Sequence, residues 1–318
     1  MSGKTVNSAI ALLVIGNALA LISDVFIKFL EQGAPVFQYA LMRCVITLLV
    51  LLPFWRQIDT GKLFEGGRLH FVRGHVHLVG IVCMVYALVA LPLATANAVF
   101  YIAPILVMIL SVIFFGERLT SLSLAAVISG FAGILVILRP VEFSWAALGA
   151  LGSAAALAVN AVLVRKLPAR QSTAHKLLLN YLMIIPACLG LAVWEGAPWS
   201  NAVFVSALGS SVFILAYNVC VLMAYKHVAA NQVTSAEYTG LIWAVLIGWL
   251  FFAEVPDLWF LFGSAMIVVP LLLIGLQQRR LRTRPANHEL ADTRYHATSV
   301  SSEAAVATSH GGETGAAK

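Results

Sequence analysis

Residues 87–117, ALVALPLATANAVFYIAPILVMILSVIFFGE, lie without a gap over residues 224–254, AYKHVAANQVTSAEYTGLIWAVLIGWLFFAE. Tyr101 falls on Tyr238, Phe114-Phe115 on Phe251-Phe252, and Glu117 on Glu254. Identity is low, yet the register holds over a unit long enough for two helices, and self-similarity of this kind decides the fold before any local motif does. Upstream, Gly16–Leu21 lies over Gly152–Leu157, which sets Asp24 opposite Asn160. The chain therefore reads as two copies of one unit, residues 1–140 and 141–278, followed by a tail, 279–318.

Composition says what solvent the copies occupy. Hydrophobic residues make up 61% of the 318 and charged residues 11%, against about 25% charged in a soluble domain; mean hydropathy is +0.92. Runs of ~17–25 apolar residues cross a bilayer as helices. Ten such runs are visible, at roughly 8–30, 35–55, 74–92, 95–115, 121–139, 145–165, 176–194, 202–223, 232–253 and 257–276. Five spans per copy is odd, so the second copy enters the membrane upside down, the inverted-repeat plan of many secondary transporters. A cleaved signal peptide is the competing reading of the start, where Lys4 precedes an apolar stretch and Ala18-Leu19-Ala20, but the apolar run continues past that site.

Lysine and arginine set the orientation, since they accumulate in short cytoplasmic loops. With both termini in the cytoplasm, that side holds Lys4, Arg56, Lys62, Arg68, Arg73, Arg118, Arg165, Lys166, Arg170, Lys176, Lys226 and the arginines from Arg279 to Arg284, while Arg139 and Lys28 alone approach the other. The net charge of +6 then reads as a topogenic signal and an attraction to anionic lipid headgroups rather than to nucleic acid. The tail is rich in Ala, Ser, Thr, His and Gly and lacks the apolar content to fold, which implies disorder. Cys44, Cys83, Cys188 and Cys220 each fall in a different span with no paired spacing, as small buried residues do.

The pattern of Lys28 late in the first helix, Arg43 early in the second, and a fourth helix reading YIAPILVMILSVIFFGERLT (101–120), echoed by YTGLIWAVLIGWLFFAEVPD (238–257), resembles the drug/metabolite transporter superfamily, EamA type. The second copy departs from the first at Leu241, where Pro104 stands, and at Ala253, where Gly116 stands. The resemblance implies an all-α carrier of small metabolites with ten transmembrane helices, often an exporter, in the inner membrane of a bacterium. The chain has no G-x-x-x-x-G-K-[ST] loop for nucleotide phosphates and no H-E-x-x-H or G-x-S-x-G motif, so neither a cofactor nor an enzymatic step is expected. His70, His75 and His77 read as a solvated basic loop, with a metal site as the alternative.

Ionisable groups inside spans are costly, about 2.5–3.5 kcal/mol at the bilayer centre on insertion scales, and so mark a bundle interior or an aqueous cavity. Asp24 and Lys28 share one helical face four residues apart and are expected to neutralise each other. Arg43, about eight residues into its span, reaches a depth of ~12 Å, near Asp24. The three form either a structural network or a cavity wall with one surplus positive charge for a substrate carboxylate or phosphate. Glu237, beside Tyr238 and Thr239, has Phe100 as its repeat counterpart. It is a candidate to carry a coupling proton or meet a cationic substrate group, and a carboxylate hydrogen-bonded near the cytoplasmic mouth is the alternative. Asn17, Tyr86, Asn97, Tyr101, Asn160, Tyr217, Asn218 and Trp243 are further candidates, with interhelical hydrogen bonding as the competing role. Glu117 and Glu254 are expected to cap helices, and Gly130, Gly133 and Gly263 to make close helix contacts. The expected function is export of an amino-acid-like or other small metabolite. Uptake of a vitamin-like compound such as riboflavin is the alternative, a non-transporting receptor or assembly subunit the remote one, and a homodimer is left open.

Overall fold

A computed structural model describes residues 5–30, 32–58, 61, 63–118, 120–138, 144–168, 170–225, 236 and 238–283. Every regular element among them is helical. Helices suit lipid because they satisfy their own backbone hydrogen bonds. By internal contacts the chain divides into Met1–Leu272 and Leu273–Lys318; the second unit is described only over 273–283, where it is helical.

The first helix, α1 (Val6–Lys28), starts at a capping box: Ser8 N donates to Thr5 Oγ1 (3.3 Å) and Thr5 N to Ser8 Oγ (3.2 Å). Then follow α2 (Val36–Leu51), a 3-10 turn (Leu52–Gln57) and α3 (Gly67–Ala90). One apolar segment, Leu93–Phe115, is broken into α4 (Leu93–Phe100) and α5 (Ala103–Phe115), because Pro104 cannot extend a preceding helix but fits the first turn of a new one. After α6 (Ser121–Leu138) and α7 (Trp145–Val164), Pro186 divides Thr173–Glu195 in the same way into α8 (Thr173–Leu182) and α9 (Ile185–Glu195). The chain continues through α10 (Asn201–Tyr225), α11 (Thr239–Phe252) and α12 (Leu258–Thr283).

Eight of the apolar segments are long enough to cross a membrane, and the last two runs form shorter apolar helices, Thr239–Phe252 and Leu258–Ile274. The third span begins at Gly67, seven residues earlier than hydropathy placed it, so His70, Arg73, His75 and His77 lie within a helix and not in a loop. His70 is fully buried, bonded to Gln171 Oε1 at 2.9 Å. The tail beyond 283 lies outside the described residues.

The two halves interlock. α1 packs most extensively on α10, and α3 on α7, so each half's helices are buried chiefly against the other's. Large apolar side chains such as Leu250, Val193 and Phe262 point outward, as they do toward acyl chains. Close approach depends on small residues: a Cβ on Gly133 would lie 2.6 Å from Gly263 O, the short-range packing typical of membrane helices. Glu195, at the end of α9, accepts from Phe37 N (3.1 Å) and Gln38 N (3.0 Å), capping an α2 whose own N-cap, Pro35, has no side-chain acceptor. Ala253 adopts a left-handed φ of 53°, close to that of its counterpart Gly116 at 65°. The second copy therefore ends its helix in the same geometry despite the substitution.

Candidate functional site

A cavity of about 570 Å³ lies between the halves, lined from α1, α2, α3, α4, α5, α7, α8 and α10. Its size falls within the ~300–1,000 Å³ range of small-molecule sites. The broken segment contributes Phe100, Tyr101 and Pro104 at its interruption, an arrangement transporters use at substrate sites.

The charged side chains among its described lining residues are Asp24, Arg43 and Arg73. Asp24 Oδ2 accepts from Asn97 Nδ2 at 3.1 Å, and the same amide nitrogen donates to Leu93 O at 3.1 Å, which orients the carboxylate from the neighbouring helix. Arg43 is 6% exposed. Its Nη1 donates to Tyr39 Oη (2.9 Å), Tyr39 Oη is 2.8 Å from Ser210 Oγ, and its Nε is buried without a hydrogen-bond partner. Arg73 donates from Nε to Asn160 Oδ1 (2.7 Å) and from Nη1 to Lys176 O (3.2 Å), while Asn160 Nδ2 donates back to Arg73 O (3.2 Å). No described carboxylate lies within 4.0 Å of either guanidinium.

Of the residues singled out in the sequence, Asn17, Asp24, Arg43, Asn97, Tyr101, Asn160, Tyr217 and Asn218 line this cavity. Asn17 also serves as interhelical glue, with Nδ2 donating to Ala236 O (3.0 Å) and Thr239 Oγ1 (3.1 Å). Trp243 donates from Nε1 to Val14 O (3.0 Å) and is not among the lining residues. Tyr238 packs on Tyr101 with ring centroids 6.2 Å apart. Tyr86 points outward, 60% exposed. Glu237 lies outside the described residues.

Lys28 corrects an expectation. Its partner is Glu254, not Asp24: Nζ lies 3.0 Å from Glu254 Oε1 and donates to Leu91 O (2.6 Å) and Leu88 O (3.3 Å), over the Phe252 ring at 5.2 Å. Glu254 Oε2 accepts from Leu93 N at 2.6 Å. At the same sequence offset, Arg165 pairs with Glu117 through Nη2, donates from Nη1 to Ser111 Oγ (3.1 Å), and rests over the Phe115 ring at 4.1 Å. Each lock joins a base from one repeat to an acid and a phenyl ring from the other. They differ in burial: the Lys28 and Glu254 side chains are 10% and 20% exposed, those of Arg165 and Glu117 both 47%.

The family model for the EamA-like transporter family matches residues 7–139 and again 144–276. The chain belongs to this family. Among EamA relatives, it is 26% identical over 279 residues to a pseudopaline exporter of Pseudomonas aeruginosa, covering 84% of this chain and 96% of that one. It is 25% identical to an S-adenosylmethionine uptake transporter of Rickettsia felis (82% and 90% covered) and 26% identical to a riboflavin transporter of Vibrio cholerae (88% and 96% covered). With its apolar helices, this makes the chain a multi-pass inner-membrane EamA transporter of small metabolites.

Among the polar cavity residues that sequence reasoning missed in this EamA chain are Ser153, Asn180 and Tyr181, and also Arg73 and His77, which it assigned to a surface loop. The signal available was their spacing with His70 and Gly80, which puts an apolar stripe of Gly74, Leu78 and Ile81 on one helical face.

Proposed function

We propose that this transporter is a ten-span secondary carrier with both termini in the cytoplasm, which exports an amino-acid-like metabolite by alternating access between its two repeats. The observation that carries this reading is a cavity at the repeat interface that offers two guanidinium groups and one oriented carboxylate, the means to hold a molecule with both acidic and amino groups. The two locks supply the alternation. Lys28–Glu254, buried, shuts the end facing outward, and Arg165–Glu117, exposed, stands at the cytoplasmic mouth; opening one while the other tightens would expose the cavity to each side in turn. Asp24 and Glu237 are the candidates to carry a coupling proton, and no chemical conversion accompanies passage. Relatives that export and relatives that import stand at nearly the same identity, so export is tested by the side on which solute accumulates in oriented vesicles.

A second reading, transport of riboflavin, is favoured by the rings of Phe100, Tyr101, Tyr181 and Tyr217 around the cavity. Purified protein in liposomes with an imposed pH gradient separates the two. Counterflow of labelled amino acids without riboflavin movement supports the first, and riboflavin movement alone supports the second. Glu237→Gln and Asp24→Asn, assayed alongside, show which acid couples: the coupling residue loses gradient-driven transport and keeps exchange. Failure of every organic solute to move would leave a receptor or assembly role.

A further inference from the structure

The carrier reading leaves open which kind of amino-acid-like molecule fits, and the wall formed by α2, α3 and α8 is specific on this point. Arg43 and Arg73 are 6% and 7% exposed, belong to different helices, and both line the cavity. Neither has a described carboxylate within ion-pair distance. Buried cations ordinarily have a counter-charge, because leaving one unpaired in low dielectric is expensive. Three polar atoms on cavity-lining residues, Arg43 Nε, His77 Nε2 and Asn180 Oδ1, are buried without a hydrogen-bond partner. The remaining lining charge, Asp24, accepts from Asn97 and interacts with the Arg43 charge from beyond ion-pair distance.

Resting on the carrier reading, we propose that the cavity is built for an amino-acid-derived solute with two carboxylates and one amine. The pattern of wall charges, two guanidiniums and one carboxylate, is the complement of that solute. Each carboxylate takes one arginine, which suits planar recognition of a carboxylate better than an ammonium does. His77 and Asn180 are neutral polar residues of the same wall, and the amine turns to Asp24. A monocarboxylic amino acid leaves one arginine unmatched, and a dicarboxylate without an amine leaves Asp24 facing no cation.

The test is binding to detergent-purified full-length protein, followed by the shift in thermal unfolding, with L-glutamate, L-alanine, glutarate and cadaverine as probes. Glutamate is expected to bind about 10- to 100-fold more tightly than alanine or glutarate, the effect of one lost charge-assisted hydrogen-bonded pair. Arg73→Gln should collapse the glutamate-to-alanine ratio toward one, Arg43→Lys should reduce it, and Asp24→Asn should reverse the preference between glutamate and glutarate. Such ratios within one variant do not depend on how much of it folds. Equal binding of glutamate and alanine to the unmutated protein, or a ratio unaltered by Arg73→Gln, overturns this inference and leaves the carrier reading standing. Binding of none of the four overturns the inference, and counterflow of amino acids in liposomes then decides the carrier reading separately.

Discussion

The Lys28 ammonium of the first repeat lies 3.0 Å from the Glu254 carboxylate of the second, and both side chains are largely buried. Removing one member of a buried pair strands the other, at a cost of about 3–5 kcal/mol. Glu254→Gln is therefore expected to lower the unfolding temperature of purified protein sharply, and Lys28→Met combined with it to restore most of the loss. Lys28→Met should give no such rescue to Asp24→Asn, because Asp24 is bonded by Asn97. Rescue in the second combination would return Lys28 to Asp24.

Ala253 occupies a left-handed backbone conformation, φ 53°, which costs an L-residue roughly 1–2 kcal/mol. Ala253→Gly is expected to stabilise the protein by up to about 1 kcal/mol after glycine's larger unfolded-state entropy is subtracted. Gly116→Ala, at the repeat-related position, should destabilise by a similar amount. Thermal unfolding of both variants checks the sign.

Glu195 accepts from two N–H groups at the start of α2. Its carboxylate satisfies donors the helix leaves open and faces the positive end of the helix dipole. Glu195→Ala should cost about 1–2 kcal/mol and Glu195→Gln less. Equal stability of the three proteins would remove the capping role.

Gly133→Ala places a methyl group against the backbone of α12, 2.6 Å from Gly263 O, where no side chain can yield. Membrane abundance should fall. Gly190→Ala meets nothing within 4 Å and should be neutral or slightly stabilising, as expected for alanine in an exposed helical position.

The proposed topology puts Arg170 in the cytoplasm and Ala197 outside. Single cysteines at these positions, on a background lacking the native four, should react with an impermeant reagent in intact cells at 197 and not at 170. The reverse pattern would invert the chain and the direction assigned to both locks.

Much of this fold is legible in the sequence because membrane helices are specified locally. Apolar runs mark the helices and the register from Ala87 to Glu117 marks the duplication, while the breaks before Pro104 and Pro186 fall inside runs that read as single spans. Cavity residues are legible where an ionisable or amide group stands alone in an apolar run, as Asp24, Arg43 and Asn97 do. They are not legible where polarity is dense: in GRLHFVRGHVH, from Gly67 to His77, Arg73 and His77 are masked by neighbours that belong at the membrane surface. Nor does the sequence name Lys28's partner. Helical spacing favours Asp24, one turn away, and only the packing of α1 against the end of α11 brings Glu254 closer.

The reciprocal locks bear on inheritance as much as on motion. Each repeat holds the base of one lock and the acid of the other, so neither half is complete alone, and a charge lost by drift in one must be answered in its sibling. A cut between residues 139 and 144 should therefore give two fragments that work only when expressed together. Exchanging both members, Lys28→Glu with Glu254→Lys, should not repair the loss, because position 28 faces the carbonyls of Leu88 and Leu91 and position 254 the N–H of Leu93.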